Sequence, residues 1–168
     1  MNKITQIIIS SLIAVGIFIV LIWISQSSVK NQGTNSAPAE GKQVLVSQEP
    51  VYDFGNVSMA AGLVNHNFTI ANQSDEPVKI TKIYTSCMCT IASLIKNGNK
   101  RGPFEMPGHG FGPKINETFL PGEEAVIEVV FDPSAHGPAG IGAVERAVYL
   151  ENDSGLLLEL LIKAAVIP

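Results

Sequence analysis

Apolar and polar residues alternate in short runs along the chain from residue 43 onward. The clearest runs are residues 63–72, 125–131 and 156–166, where large apolar or aromatic side chains recur at every second position. Side chains two apart on a β-strand point to the same side of a sheet, so each run predicts a strand with one buried face. With shorter runs at residues 43–54 and 144–150, about seven segments are separated by turn residues. This pattern predicts an all-β Greek-key sandwich.

Turn and loop residues punctuate these runs. Residues 72–77 combine asparagine, serine, aspartate and proline and predict a turn. Residues 97–113 and 132–142 are rich in glycine and proline. We expect both of these longer segments to lack regular secondary structure.

Residues 77–92 read as a long central strand that contains both cysteines of the chain, Cys87 and Cys89. Residues i and i+2 of a strand face the same side of a sheet. The two thiols are therefore predicted to lie side by side, with Met88 facing the opposite way.

The N-terminal part of the chain has a different pattern. Residues 4–24 contain no charged side chain and are almost entirely apolar. As a helix they would reach roughly 31 Å, which matches the hydrocarbon core of a bilayer. A cleaved signal peptide would have a shorter apolar region followed closely by a small-residue cleavage site. We therefore predict a short tail at residues 1–3 and an uncleaved transmembrane signal anchor at residues 4–25.

Residues 26–42 are polar and small, with little to bury, and predict a flexible linker between the anchor and a domain at residues 43–168. Lysines on the two sides of the span do not settle its orientation. The layout of short tail, span and folded domain favours a single-pass membrane protein with the domain on the extracytoplasmic side. The net charge of −4 and the absence of a basic cluster argue against a nucleic-acid partner.

Several short motifs follow one another in a characteristic order and spacing. They are Tyr52-Asp53-Phe54-Gly55-Asn56-Val57, Phe68-Thr69-Ile70-Ala71-Asn72, Pro77-Val78-Lys79-Ile80, Thr85-Ser86-Cys87-Met88-Cys89-Thr90, Pro121-Gly122-Glu123 and Val130-Phe131-Asp132-Pro133. In these motifs the chain resembles the bacterial domain-of-unknown-function family 1573, which is related to the abnormal-spindle/hydin and major sperm protein domains. The resemblance implies an exported or membrane-anchored immunoglobulin-like β-sandwich, marked by a Cys-x-Cys pair and without agreed catalytic residues.

The residues themselves leave three roles open for Cys87 and Cys89. Free cysteine is often buried and packs as a small hydrophobe. A disulfide between the two is compatible with an extracytoplasmic location. Residues two apart on a strand, however, have Cα atoms about 6.6 Å apart and parallel Cβ vectors, so a kink or bulge would be needed.

The third role is a metal site. Two thiolates on one face, joined by Met106 and His109 from the glycine-rich loop, would form a soft ligand set suited to copper(I) or, less well, zinc. His136 in the next loop is a further candidate ligand. His66 lies on the apolar face of its strand, and we expect it to be half-buried with its hydrogen bonds satisfied rather than to bind a metal.

No catalytic signature is visible in the sequence. A Cys–His pair could be assembled, but a cysteine in the middle of a strand lacks the electropositive setting that activates a thiol. We therefore expect a non-enzymatic, membrane-tethered module without a cofactor, which meets a protein partner through a sheet edge. The alternative is an extracytoplasmic copper-binding or thiol-redox protein that uses the cysteine pair.

Overall fold

The strands form two large sheets and one small one. The structure is a computed structural model that describes residues 44–108 and 114–168. Within these ranges the chain forms eleven strands: β1 (Leu45–Ser47), β2 (Val51–Ser58), β3 (Val64–Asn72), β4 (Val78–Ile80), β5 (Lys82–Thr85), β6 (Thr90–Lys96), β7 (Asn99–Phe104), β8 (Glu117–Phe119), β9 (Glu124–Phe131), β10 (Gly142–Asn152) and β11 (Gly155–Ile167). Two short 3-10 turns lie at Met59–Ala61 and Gly137–Gly140.

The first sheet has five strands in the order β1-β3-β9-β6-β7, and every pair in it is antiparallel. The second has four strands in the order β2-β11-β10-β5. In this second sheet β2 runs parallel to β11, while the β10 pairs are antiparallel. Strands β4 and β8 form a separate antiparallel pair.

The two large sheets share one hydrophobic core. In β9 and β11 buried side chains recur at every second position, as expected of strands with one covered face. Phe68, Leu94 and Ile127 from the first sheet belong to the same buried cluster as Leu150 and Leu160 from the second. The predicted all-β architecture with sandwiched sheets is confirmed.

The predicted strands at residues 63–72, 125–131, 144–150 and 156–166 are confirmed as β3, β9, β10 and β11. On the predicted buried face of β11 only Leu156 is exposed. Its partner strand explains this, because the β10–β11 register shifts between Leu150 and Glu151, just opposite that end of β11.

The prediction of about seven strands was too low, and the expectation that residues 97–113 lack regular structure was wrong for their first part. Asn97 and Gly98 have positive φ angles of 51° and 77° and connect Lys96 directly to Asn99. A two-residue Asn-Gly loop with both φ angles positive is the preferred type I′ hairpin turn. It pairs β7 with β6 despite the glycine and proline that follow.

The long central strand predicted at residues 77–92 is also wrong as a single element. The chain is divided there into β4, β5 and β6, and Cys87, Met88 and Cys89 lie in the turn between β5 and β6. The physical reason is the change of sheet, since β5 belongs to the four-stranded sheet and β6 to the five-stranded one. A straight strand cannot belong to both layers.

The predicted transmembrane anchor at residues 4–25 and the linker at residues 26–42 lie outside the described residues. Within residues 44–108 and 114–168, no helix has the length and apolar character needed to cross a bilayer.

Asn72 fixes the turn that follows β3. Its side chain is fully buried, and its amide nitrogen donates to the carbonyls of Glu76 and Phe119 at 2.8 and 2.9 Å. Its amide oxygen accepts from the backbone N–H and the hydroxyl of Ser74 at 2.9 and 2.7 Å. Making all four hydrogen bonds at once requires a donor and an acceptor on the same side chain, which an amide supplies.

We expect Asn72→Asp to lower the free energy of unfolding by about 3 kcal/mol, because a carboxylate would face two buried carbonyl oxygens. The matched control is Asn65→Asp on the exposed face of the same strand, with an expected change below about 0.5 kcal/mol. Urea denaturation measures both values. Equal losses in the two variants would contradict the role given to Asn72.

Candidate functional site

Two crossings between the sheets lie side by side at one end of the sandwich. The first, at residues 86–89, connects β5 to β6, and the second, at residues 132–141, connects β9 to β10. β6 is the neighbour of β9 in one sheet, and β5 is the neighbour of β10 in the other. The backbone N–H of Asp132 donates to the carbonyl of Cys89 at 2.9 Å and joins the two crossings.

The first crossing is a tight turn. The N–H of Thr90 donates to the carbonyl of Cys87 at 3.1 Å, which closes a β-turn over residues 87–90. Thr85 supports it from inside, because its buried hydroxyl donates to the carbonyl of Thr90 at 2.9 Å and lies 3.1 Å from that of Cys87. The turn is thus held from both of its ends.

This turn brings the two sulfurs together. The Cys89 thiol donates to Cys87 Sγ over 2.8 Å, and both cysteines are free. Cys89 is 3% exposed and belongs to the core cluster, Cys87 is half-buried, and Met88 is 51% exposed. The prediction of neighbouring thiols with Met88 facing away is confirmed, although a turn rather than a strand produces it.

The second crossing supplies His136, whose Nε2 lies 3.2 Å from Cys87 Sγ. Ser134 begins this segment by donating its N–H and hydroxyl to Asp132 Oδ1 at 2.8 and 2.6 Å. Gly140 packs against the histidine, and a Cβ there would lie 3.2 Å from His136 Cβ. The local fold therefore holds the imidazole close to the half-buried thiol.

Strand β10 supplies Arg146. Its Nε donates to Cys89 Sγ at 3.2 Å, and its Nη1 donates to the carbonyl of Glu145 at 2.8 Å. The guanidinium therefore places a fixed positive charge beside the more deeply buried sulfur.

These contacts separate the acidities of the two thiols. Burial disfavours ionisation of Cys87, but hydrogen bonds from the Cys89 thiol and backbone, the His136 ring and the charge of Arg146 outweigh it and lower the pKa of Cys87 to about 7. For Cys89, burial and the neighbouring Cys87 outweigh the hydrogen bonds from Arg146 and Thr90 and raise the pKa. At neutral pH the half-buried sulfur is thus partly thiolate while the buried one stays protonated.

A surface groove of about 750 Å³ opens next to the thiols. It is lined by Cys87 and His136 together with Ser86, Ala139, Gly140, Ile141 and residues 143–146 of β10. A solute in this groove would reach Cys87 before Cys89, because the second cysteine is covered by the core.

The structure brings together some of the predicted site residues. Cys87, Cys89 and His136 have ligand atoms within 4.8 Å of one another. Met106 is half-buried in the segment after β7, and in the described part of the chain it is not a hydrogen-bond partner of either thiol. His109 lies outside the described residues. His66 is half-buried, stacks on Tyr52 at 3.6 Å and contacts Glu49 at 3.1 Å, as expected of a satisfied histidine.

Arg146 was missed by sequence reasoning, although the sequence contains a signal for it. It lies on the same face of β10 as the apolar residues Val144, Val148 and Leu150. A lone arginine on the core-facing side of an alternating strand predicts a buried hydrogen-bond acceptor as its partner. The partner is 57 residues away in sequence, so only the fold identifies it as Cys89.

A segment of the chain that includes the cysteine turn matches a protein-family model. Residues 45–103 match the model of a family described as a protein of unknown function (DUF1573). The predicted family is thereby confirmed, and the matched segment includes the Cys87–Cys89 turn. No curated protein matches the chain.

Among solved structures, the chain is similar to a protein of unknown function from Porphyromonas gingivalis, with 14% identity, a TM-score of 0.50 and coverage of 73% of this chain and 46% of that one. It therefore spans less than half of that relative. Two Vibrio cholerae proteins, the secreted serine protease VesC and the VesB protease, are 12% and 16% identical, with TM-scores of 0.45 and 0.46. The VesC alignment includes 74% of this chain and 23% of VesC, and the VesB alignment includes 73% of this chain and 32% of VesB. At such identities the likeness concerns the fold alone.

We expect the alkylation rate of Cys87 by iodoacetamide to rise with pH and to reach half its maximum near pH 7, because the thiolate is the reacting form. Cys89 should react far more slowly at every pH below its raised pKa. Tandem mass spectrometry of the peptide that contains both cysteines measures the two rates separately.

Arg146→Gln should move the Cys87 midpoint to higher pH, since it removes a positive charge that favours the thiolate. Arg101→Gln is the matched control, because Arg101 pairs with Glu117 instead. A Cys89 rate equal to that of Cys87, or an unmoved midpoint in Arg146→Gln, would contradict this assignment.

Proposed function

We propose that this domain is a dithiol module that exchanges with disulfides of partner molecules on the extracytoplasmic side of a membrane. The observation that supports it is the asymmetry of the pair: an accessible Cys87 with a lowered pKa touches a buried Cys89 with a raised pKa. An attacking thiol works best when its pKa is close to the ambient pH. The second thiol then needs only to lie within reach of the first.

The chemistry would proceed in two displacements. The Cys87 thiolate attacks one sulfur of a partner disulfide, forms a mixed disulfide and releases the other sulfur as a thiolate. The Cys89 thiol gives up its proton and attacks Cys87 Sγ, which releases the second partner sulfur and leaves a Cys87–Cys89 disulfide. Two electrons pass to the partner disulfide, and its two thiolates take up the protons.

The neighbouring residues suit these steps. The His136 ring lies at Cys87 Sγ and the Arg146 guanidinium at Cys89 Sγ. A hydrogen bond from either group stabilises the thiolate that must form at the neighbouring sulfur. The turn at residues 87–90 supplies the kink that a bridge between residues two apart requires. The two sulfurs lie 2.8 Å apart. A disulfide bond is about 2.0 Å long, so they need to approach by only about 0.8 Å.

The proposal includes the location predicted from the sequence. A span at residues 4–25 and a linker at residues 26–42 would hold the domain outside the cytoplasm, where disulfides persist and can serve as partners.

One dithiol reduces one disulfide stoichiometrically, so the module needs no catalytic machinery beyond the groups around its sulfurs. The immunoglobulin-like Greek-key relationship is likewise part of the proposal, supported by the two sandwiched sheets.

Copper(I) binding is a second candidate, favoured by the three donor atoms of Cys87, Cys89 and His136 within 4.8 Å. Two thiolates and an imidazole form a soft set that suits copper(I). Arg146 opposes a bound cation, because its charge lies at the Cys89 sulfur. For this reason we rank metal binding below disulfide exchange.

We expect the reduced domain to convert glutathione disulfide to two glutathione thiols and to finish with an intramolecular disulfide. Cys89→Ser should stop at a mixed disulfide with one glutathione on Cys87, and Cys87→Ser should react only slowly. Intact-protein mass spectrometry separates these products, with Met88→Leu as a control that keeps both thiols. A wild-type protein that also stops at the mixed disulfide would refute the proposed exchange.

For the second candidate, a copper(I) titration against a chromogenic chelator gives the affinity. If copper(I) binds through the three donors, His136→Ala should weaken it by at least about tenfold, and Cys87→Ser with Cys89→Ser should abolish it. His66→Ala is the control histidine. Equal affinities for His136→Ala and His66→Ala would remove His136 from the ligand set.

A further inference from the structure

One edge of β10 is only partly covered. β10 extends over Gly142–Asn152, but β5 pairs with it only at residues 148–151. The opposite edge of β10 is paired with β11 over its whole length. Within the described residues, no strand pairs with the β5 side of residues 142–146. We call this segment the open edge of β10.

Contacts of Ala147 show which backbone groups point out of the open edge. Its N–H donates to Ser86 Oγ at 2.9 Å, and its carbonyl accepts from the Ser86 N–H at 2.9 Å. Backbone groups alternate in direction along a strand, so the N–H groups of Ala143 and Glu145 point the same way as that of Ala147. The carbonyl of Glu145 accepts from Arg146 and keeps a second lone pair for another donor.

The open edge begins where the thiol turn leaves the sheet. Ser86 is the last residue of the β5 side to hydrogen-bond β10, and Cys87 follows it into the turn. The groove beside the turn is lined both by Cys87 and by residues 143–146. An extended segment that continues the line of β5 along β10 would therefore have one end next to Cys87 Sγ.

Building on the proposed disulfide exchange, we propose that the open edge of β10 docks an extended, disulfide-bearing polypeptide as an added β-strand and presents its disulfide to Cys87. Main-chain hydrogen bonds to Ala143 and Glu145 would hold the guest segment, as in other cases of strand addition. Holding the disulfide beside the thiolate raises its effective concentration there. The reaction itself is the two-step exchange already described, with the guest disulfide reduced and the protein dithiol oxidised.

The side chains around the groove are compatible with a polypeptide occupant. Ala139, Gly140 and Ala143 are small and leave room for a backbone, while Ile141 is 46% exposed and offers an apolar contact. A second described edge, that of β7, contains Pro103, which has no N–H to donate. The open edge of β10 is the one that lies beside a reactive group.

The experiment compares disulfide substrates that share one leaving group. A strand-forming peptide of about six residues, alternating threonine and valine around one cysteine, is joined to thionitrobenzoate, and glutathione joined to thionitrobenzoate is the reference. We expect the reduced wild-type protein to release thionitrobenzoate from the peptide at least about tenfold faster than from the glutathione reference. Methylating the alternate peptide nitrogens that face β10 should remove this preference. Methylating the other set should preserve it.

Ala143→Pro should likewise bring the ratio of the peptide rate to the glutathione rate close to one, because it removes an N–H from the open edge. Ala143→Ser keeps that N–H and is the matched control. If glutathione and peptide substrates react equally, or if both methylated peptides behave alike, docking is refuted while the exchange stands. If neither substrate reacts, the exchange itself fails. Dimerisation that Ala143→Pro abolishes would assign the open edge to a second copy of this chain and overturn the proposal.

Discussion

The turn at residues 87–90 is the constraint on which the site depends. It must carry the chain from the four-stranded sheet to the five-stranded sheet within a few residues. This tight change of direction leaves the carbonyls of the buried residues Cys89 and Thr90 without partners in a sheet. The N–H of Asp132 donates to the first and the buried hydroxyl of Thr85 to the second. Each such buried hydrogen bond contributes about 1 kcal/mol net, and leaving its acceptor unpaired would cost more. The thiols are therefore held by a structure that the sandwich needs for its own connectivity.

A second crossing beside the first gives the site its chemistry. Because β5 and β10 are neighbours in one sheet, and β6 and β9 in the other, the two connections between these pairs must run alongside each other. His136 comes from one connection and the cysteines from the other, while Arg146 enters from the adjoining strand. Burial acts more strongly on Cys89, and hydrogen bonds act more strongly on Cys87. Two chemically identical side chains thereby acquire different pKa values.

The same geometry places an unpaired stretch of sheet edge beside the thiol pair, within the residues that the structure describes. β5 ends early because the chain must leave its sheet at the cysteine turn, and this early end uncovers the backbone of β10 at residues 142–146. An open sheet edge and a half-buried thiol with a lowered pKa are thus two results of one change of direction. The family match covers residues 45–103, which contain the turn but neither His136 nor Arg146. The matched segment therefore contains the thiol pair but not the two side chains that hydrogen-bond it from β10 and from the β9–β10 connection.

The sequence by itself determined the all-β architecture and the main strands, because period-two alternation depends only on which side of a strand each residue occupies. It also predicted neighbouring thiols, but the turn at residues 87–90, not alternation along a strand, brings the two sulfurs together. It could not show that residues 77–92 form three strands, since β-forming residues with the same local preference occupy both sheets. The Asn97-Gly98 turn residues predict a hairpin, but the glycine and proline that follow them are typical of a loop and led to the wrong prediction for this segment. Only the tertiary structure decided that His136 and Arg146 join the cysteines, because contacts between residues 49 and 57 positions apart depend on strand order rather than on local pattern.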